Sequence, residues 1–430
     1  MIAVVALASI SILGMLLCLL FWPSCRIKGH RFSTFYLPPL LGLLLLLCFG
    51  LLKPEDYFGG LIQGGAMNPL EILALFFSMA FISTVLDEVG FFAFLADKMV
   101  QKAKGSQFAL FLSLYALCSI LTTFTSNDIV ILTFTPFLLC FAKEAKIDPI
   151  PYLVCEFVAA NTWSMLFIFG NPTNVYLASK FGLDFVSYLS KMALPTVFAS
   201  LASLSFMLLL FQKKLKGKIE VEQEKTRLGD PFLLISSLVI LLGATVLMAL
   251  SGFLDLPMWI FASIGAGLLL ILALFRSLSL KTKPVLLLSS LKRLPFTLAP
   301  FLLSMFGIVM AFSSVGLSLD FGNWLNQFSP VWGYGLASFL SANVMNNLPM
   351  SVLFGDVLSL SNAPSQALFA CIASSNLGAI LTPLGALAGI LWMGILKDHG
   401  VSFSFGKFCL YGVAISLPSL LASLAALMIV

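Results

Sequence analysis

The chain has 430 residues, 60% of them hydrophobic and only 10% charged, with a net charge of +5. A soluble domain carries about 25% charged residues, and its core does not need a dozen apolar runs of roughly 17 to 28 residues, each long enough to cross a bilayer. These figures exclude a soluble enzyme or disulfide scaffold, and the positive balance sits beside the apolar runs, so it does not indicate nucleic acid.

The first run, Ile2 to Trp22, lacks a basic leader and is too long for a signal-peptide core, so it reads as a retained helix. Helices are expected next at 34–52 and 69–97. The stretch 107–142 is apolar but interrupted by Thr122, Thr123, Thr125, Ser126, Asn127 and Asp128. Its two arms read as too short to span, which predicts a re-entrant hairpin, with two very short helices as the alternative. A helix over 150–180, broken by Gly and Pro, and another at 186–211 complete the first half. The basic stretch from Lys213 to Arg227 reads as a loop.

The second half repeats this order, with helices at 230–251, 256–276 and 295–316, an interrupted stretch at 329–360, a broken helix at 364–397 and a last helix at 404–429. Five spans per half is an odd number, so the halves enter the membrane in opposite senses. The expected fold is an all-α membrane protein of two inverted repeats, each with five transmembrane helices (one broken) and a re-entrant helical hairpin. Residues 1–212 form the first repeat, 213–229 a cytoplasmic linker and 230–430 the second.

Basic residues test this topology. With the N-terminus outside, roughly 21 of the 24 Lys and Arg residues fall in cytoplasmic loops, among them Arg26, Lys28, Arg31, Lys98, Lys102, Lys104, Lys143, Lys146, Lys213 to Arg227, Arg276, Lys281, Lys283, Lys292, Arg293 and Lys397. Lys53, Lys180 and Lys191 fall outside. Lys/Arg bias sets orientation. The expectation is therefore a multi-pass protein of the cell membrane with both termini outward. The hairpin tips would meet near the midplane from opposite sides.

Polar groups left unsatisfied in hydrocarbon cost several kcal/mol each, so polar clusters at membrane depth face protein, water or solute. Thr125, Ser126, Asn127 and Asp128 form the first tip, followed by a helix N-terminus that favours an anion. Asp128 is alternatively a proton or sodium ligand, or simply a helix cap. Asn343, Asn346 and Asn347 mark the second tip, with Pro349 suited to a helix start. Gly170, Asn171, Pro172, Thr173 and Asn174 break helix 150–180, downstream of Asn161 and Thr162. Ser374, Ser375, Asn376, Gly378, Thr382, Pro383, Leu384 and Gly385 are the counterparts in helix 364–397. Breaks of this kind free carbonyls for a cation, and a proline kink satisfied by nearby hydroxyls is the structural alternative. Asp87 and Glu88, deep in helix 69–97, and Glu156 are ionisable residues within spans and suspects by default. Asp87 and Glu88 read equally as an ion relay or a structural pair. Asp356 reads as an interface residue and Glu71 as interfacial.

The eight cysteines are scattered with no Cys-x-x-Cys, and only His30 and His399 are present, so neither a disulfide framework nor a metal site is expected.

On these residues the chain resembles the ion-transporter superfamily that includes arsenite/antimonite efflux permeases, with sodium/proton antiporters and sodium-coupled dicarboxylate symporters as relatives. Asp87-Glu88-Val89-Gly90-Phe91-Phe92 is similar to the acidic pair and Gly-Phe-Phe of arsenite permeases. Phe124-Thr125-Ser126-Asn127-Asp128, then Leu132-Thr133 and Pro136, are similar to their Asn-Asp hairpin. Val344-Met345-Asn346-Asn347-Leu348-Pro349 is similar to their Met-Asn-Asn-x-Pro. Asn376-Leu377-Gly378, Leu381-Thr382-Pro383-Leu384-Gly385 and Leu391-Trp392 are similar to their last broken helix. Gly170-Asn171-Pro172-Thr173-Asn174 departs from that pattern and is nearer to carboxylate and sodium/proton members, which leaves the substrate open.

The resemblance implies alternating-access transport of a small inorganic ion, of the arsenite/antimonite efflux type, coupled to a proton or sodium gradient. Asp128, Asp87 and Glu88 are its coupling candidates. A dicarboxylate or citrate carrier and a sodium/proton antiporter are the rivals within the fold. Dimers occur among such relatives, so a homodimer is compatible. No zinc-hydrolase, nucleophile-elbow or P-loop motif is present, so an enzyme is not expected, and no cofactor beyond a coupling sodium ion or proton.

Overall fold

The computed structural model describes residues 1–22, 24–27, 30–62, 69–103, 105–219 and 228–430. Lys28, Lys104, Lys225 and Arg227, counted above among the loop charges, lie outside the described residues, as does most of the linker's second half.

In the first half α1 (Ile2–Phe21) leads into a short antiparallel hairpin, β1 (Ser24–Ile27) and β2 (His30–Ser33), then α2 (Leu37–Cys48), α3 (Pro54–Ile62), α4 (Pro69–Glu88) and α5 (Phe91–Lys102). The interrupted stretch is α6 (Gln107–Phe124) and α7 (Asn127–Glu144). The broken helix is α8 (Ile150–Trp163) and α9 (Pro172–Lys180), and α10 (Phe185–Phe211) closes the half. The second half runs α11 (Pro231–Ala249), α12 (Ser251–Leu254), α13 (Met258–Ser279), α14 (Val285–Lys292), α15 (Leu298–Ser314) and α16 (Leu317–Leu325). It continues with α17 (Pro330–Met345), α18 (Asn347–Leu360), α19 (Ser365–Leu381), α20 (Leu387–Asp398) and α21 (Phe405–Leu427). The architecture is helical, and among the described residues seven helices are long and apolar enough to cross a membrane by length and composition.

Four expectations are corrected. The arms of 107–142 are not short: α6 and α7 have 18 residues each, and α6 alone meets the length and hydropathy of a span. The threonines near its end do not break it, because the Thr123 hydroxyl donates to the Ser119 carbonyl one turn back at 2.9 Å. The helix expected at 69–97 is two helices, since Gly90 adopts φ +81°, a left-handed conformation that ends α4. The helix at 34–52 shortens to the 12 residues of α2. The helix at 295–316 is followed by α16 at an 80° bend after Gly316, whose φ is +85°.

Burial grades the helices. α8 is buried from Ile150 through Thr162, and α19 from Ala367 through Ile380. By contrast, Ile264, Leu268, Ile271 and Phe275 form an exposed apolar stripe on α13, at a helical spacing suited to lipid. The broken helices are therefore the centre of the molecule.

Each interrupted stretch brings its two ends close together. The Gln107 amide donates to the Gly217 carbonyl, while Asp148, just beyond α7, pairs with Lys214 at 2.6 Å, so one loop holds both ends of α6–α7. At the other stretch, the Asn326 amide donates to the Ser361 carbonyl at 2.9 Å, and the Tyr334 hydroxyl meets Ser361 Oγ at 3.1 Å. The closing helices α10 and α21 run antiparallel. Lys191 near the start of α10 donates to the Val430 carbonyl beyond the end of α21, while the Phe211 and Tyr411 rings at the opposite ends lie 5.3 Å apart.

Candidate functional site

The first tip is Thr125 and Ser126, the latter extended, between α6 and α7. Asn127, the first residue of α7, donates its amide to Asn161 Oδ1 on α8 at 3.1 Å. The Thr125 hydroxyl donates back to the Leu121 carbonyl at 2.7 Å. α8 ends at Trp163, and residues 164–171 are irregular with one 3-10 turn, Ile168–Gly170. α9 restarts at Pro172, capped by Asn171 Oδ1, which accepts from the Thr173 amide.

Irregular backbone at this depth must find partners within the protein. Asn174 Nδ2 donates to the Ser164 carbonyl at 2.7 Å and the Phe167 carbonyl at 3.3 Å, and the Tyr188 hydroxyl donates to the Met165 carbonyl at 2.9 Å. Carbonyls expected to be free for a cation are thus held by side-chain donors. Gly170 serves another purpose. A Cβ there would lie 2.3 Å from the Ser164 carbonyl oxygen, so the break closes only around a bare Cα.

The second half repeats the arrangement. Asn346 sits between α17 and α18 at φ +76° and ψ 153°, a region that L-residues occupy only under strain. Its side chain caps α18 at the Leu348 amide and donates to the Leu384 carbonyl at 3.1 Å. Asn343 bonds the Gly378 carbonyl at 3.1 Å and accepts from the Thr382 hydroxyl at 2.7 Å. Thr382 also caps the short turn Pro383–Gly385. Here Gly385 packs on backbone, with a Cβ position 2.4 Å from the Gly378 carbonyl oxygen. Each tip therefore leans on the broken helix of its own half.

The two broken helices meet. Asn376 Nδ2 donates to Asn174 Oδ1 at 2.7 Å, and Asn376 Oδ1 accepts from Ser164 Oγ at 2.8 Å and Asn171 Nδ2 at 3.0 Å. Thr173 Oγ1 and Ser375 Oγ are 3.0 Å apart. All six of these side chains are buried. Five expected residues and Ser164, from chain positions about 200 apart, thus form one neutral network of amides and hydroxyls.

Beside this network some polar atoms stay unpartnered. Ser126 Oγ, Asn127 Oδ1, Thr122 Oγ1 and Thr162 Oγ1 are buried with no hydrogen bond among the described residues. Buried polar atoms are nearly always paired, so acceptors left open at the first tip suit a small solute or ion. Asp128 lies in the first turn of α7, partly exposed, with no side-chain partner among the described residues. It does not cap the helix. The cap position belongs to Ser126, which makes no side-chain cap bond. The free N-terminal amides of α7 remain available there.

Other acidic residues are placed differently from expectation. Asp87 and Glu88 are not deep within a helix but at the end of α4, because Gly90 terminates it. Arg293 pairs with Asp87 at 2.5 Å and Glu88 at 2.9 Å, and Thr133 donates to Asp87 at 2.9 Å. The structure thus gives them a structural ion pair across the halves and does not bring them to the tips. Asp356 pairs with the buried ammonium of Lys180 and accepts from Ser313 at 2.6 Å, joining α9, α18 and α15. Sequence reading missed Ser164, Lys180 and Arg293. Ser164 follows Asn161 by three residues, the spacing of one helix face, which was the available signal. Nothing local marks the two cations as partners.

Comparison with known proteins agrees with this architecture. Residues 36–360 match the CitMHS family model, described as citrate transporter. The chain is 27% identical over 404 residues to the arsenical pump membrane protein of Escherichia coli (strain K12), covering 90% of this chain and 91% of that one. It is 24% identical over 431 residues to the putative arsenical pump membrane protein of Bacillus subtilis (strain 168), with 90% and 91% covered. Among solved structures it is similar to the Alcanivorax borkumensis YdaH transporter, with a TM-score of 0.59 at 14% identity over 100% of this chain and 97% of that one. That likeness speaks for the fold. With three quarters of its length matched by one family model and these pumps alongside it, the chain is a membrane transporter that belongs to the CitMHS citrate transporter family.

Proposed function

We propose that this protein is a secondary active transporter that moves a small inorganic ion, of the arsenite or antimonite type, outward, coupled to a proton or sodium gradient, by alternating access. The carrying observation is the pairing of Asn376 with Asn174, Asn171 and Ser164 between two broken helices, with open acceptors of Ser126 and Asn127 beside it. Neutral hydroxyls and amides suit a small, weakly charged oxo species. Substrate held between two half-sites is released when the halves shift, which is how inverted-repeat carriers work.

Several features support the inverted reading. The order of elements repeats, α10 and α21 are antiparallel, and each interrupted stretch brings its two ends close together. On this reading α6–α7 and α17–α18 are hairpins with tips at the midplane, residues 1–212 and 230–430 are the repeats, and both termini face outward from the plasma membrane. Lipid covers the apolar stripe of α13, and a homodimer is compatible with it. Asp128 is the coupling group at the first tip.

A second reading, a citrate or other carboxylate carrier, is favoured by the helix N-terminus of α7 and by the family's description. Everted vesicles from cells expressing the protein decide between them. Arsenite accumulation driven by a pH or sodium gradient, with no citrate uptake, is expected. Gradient-driven citrate uptake without arsenite movement selects the carboxylate reading, and movement of neither removes both.

A further inference from the structure

Glu156 lies in the middle of α8, fully buried, with its carboxyl beside the Trp392 indole N–H of α20 and against a hydroxyl: Thr135 Oγ1 on α7 is 3.0 Å from Oε1 and 3.1 Å from Oε2. The same Thr135 oxygen is 2.6 Å from the Ile131 carbonyl oxygen, the back-bond of a helical threonine. A hydroxyl has one hydrogen. Two oxygens 2.6 Å apart need a proton between them, so that hydrogen goes to Ile131. The contact with Glu156 then needs a hydrogen from the carboxyl itself. The groups around it offer no counter-charge. Facing it are the thiols of Cys118 on α6 and Cys155 on α8. α19 carries no charged residue. The charged groups of the other neighbouring helices lie at a distance. Asp128 is seven residues from Thr135 along α7, about 10 Å of helix rise away, and Lys143 and Glu144 are at its far end. Lys191 of α10 reaches the Val430 carbonyl, Lys407 of α21 lies over the Phe403 ring, and Lys397 and Asp398 end α20.

We propose that Glu156 is a proton-binding site of this transporter, a carboxylic acid donating to Thr135, and that its proton is exchanged during transport, a second coupling group beside Asp128. The second half rests on the transporter reading above. Position supplies the link. Glu156 is five residues, about 7.5 Å of helix rise, before Asn161, which holds the tip residue Asn127. Both contacts join α7 to α8. Without its proton Glu156 would be a buried carboxylate beside an oxygen with its hydrogen already committed, met among the described residues only by the neutral Trp392 indole N–H, an arrangement costing several kcal/mol. Proton release therefore requires α7 and α8 to separate enough to admit water, and that motion loosens the first tip.

Infrared spectroscopy of the detergent-solubilised protein at neutral pH tests the first half without transport. A carboxylic-acid carbonyl band is expected that disappears in Glu156→Gln and shifts in frequency in Thr135→Val. A band identical in wild type and Glu156→Gln overturns the site. Glu156→Asp, which keeps an acid, covers failure of the glutamine variant to fold: its band should move, and an unmoved band equally overturns the site. Proteoliposomes with an internal pH dye then test coupling. Glu156→Gln is expected to cut proton flux driven by arsenite or citrate gradients more than tenfold and to flatten the pH profile of exchange. An unchanged profile and flux overturn the coupling role. If wild type moves neither probe, the transport reading has failed, and the infrared result still decides the site.

Discussion

Asn376 Nδ2 donates to Asn174 Oδ1 at 2.7 Å, across 202 residues of sequence, and this bond joins the broken helix of one half to that of the other. The Asn376 amide also serves Ser164, Asn171 and the Ile372 carbonyl, so one side chain fills its whole hydrogen-bonding capacity at the centre of the molecule.

Replacing Asn376 by Ala leaves several buried groups unpaired, at about 1–3 kcal/mol for each. The expected outcome is a clearly lower melting temperature in detergent and a loss of transport. Asn376→Asp keeps the acceptor for Ser164 and Asn171 but introduces a charge and loses the donor to Asn174. It should fold better than the alanine variant and still transport poorly. A double-mutant cycle with Asn174→Ala measures the pair, and additive effects would show that the bond carries no coupling.

Asn346 stands in a backbone region that costs about 1–3 kcal/mol for a residue with a Cβ. Glycine removes that strain but also the bond to Leu384. Asn346→Gly should therefore match or exceed wild type in thermal stability while transport falls. A variant that transports normally shows that this side chain has no part in the site.

Gly170→Ala and Gly385→Ala place a methyl 2.3 Å and 2.4 Å from backbone carbonyl oxygens. Backbone cannot swing aside as a side chain can, so both variants should lose folded protein, read as monodisperse yield in size-exclusion chromatography. Gly243→Ala, which meets no atom within 4 Å, is the control and should behave as wild type.

Lys180 is buried in its pair with the partly exposed Asp356, and breaking a buried pair costs about 3–5 kcal/mol because one charge is left alone. Lys180→Met and Asp356→Asn should each destabilise strongly, with the double variant less affected than either single one. Arg293 is 36% exposed, so losing its pairing to Glu88 should cost about 1 kcal/mol or less and weaken further in salt. Asp87, also held by Thr133, should matter more than Glu88. Melting temperatures of the single variants at low and high salt check that order.

Asp128 has no partner to lose among the described residues. Asp128→Asn should leave melting temperature near wild type and remove gradient-driven transport. Unaltered transport in that variant assigns the coupling elsewhere.

Much was decided by sequence alone, because a bilayer imposes a strict condition on each segment. Apolar runs must be long, and polar residues within them must have a reason. That condition marked the interrupted stretches at 107–142 and 329–360, the broken helices and most of the network at Asn171, Thr173, Asn174, Ser375 and Asn376. Only tertiary structure decided which of these meet. Asn376 bonds Asn174 and not another asparagine because α8 and α19 are packed at the centre, and packing between segments 200 residues apart has no local signature. The same limit hid Lys180 behind Asp356 and Arg293 behind Asp87. Helix ends were misjudged where one glycine, Gly90, takes a left-handed turn, since hydropathy registers the apolar run and not the backbone angle that divides it.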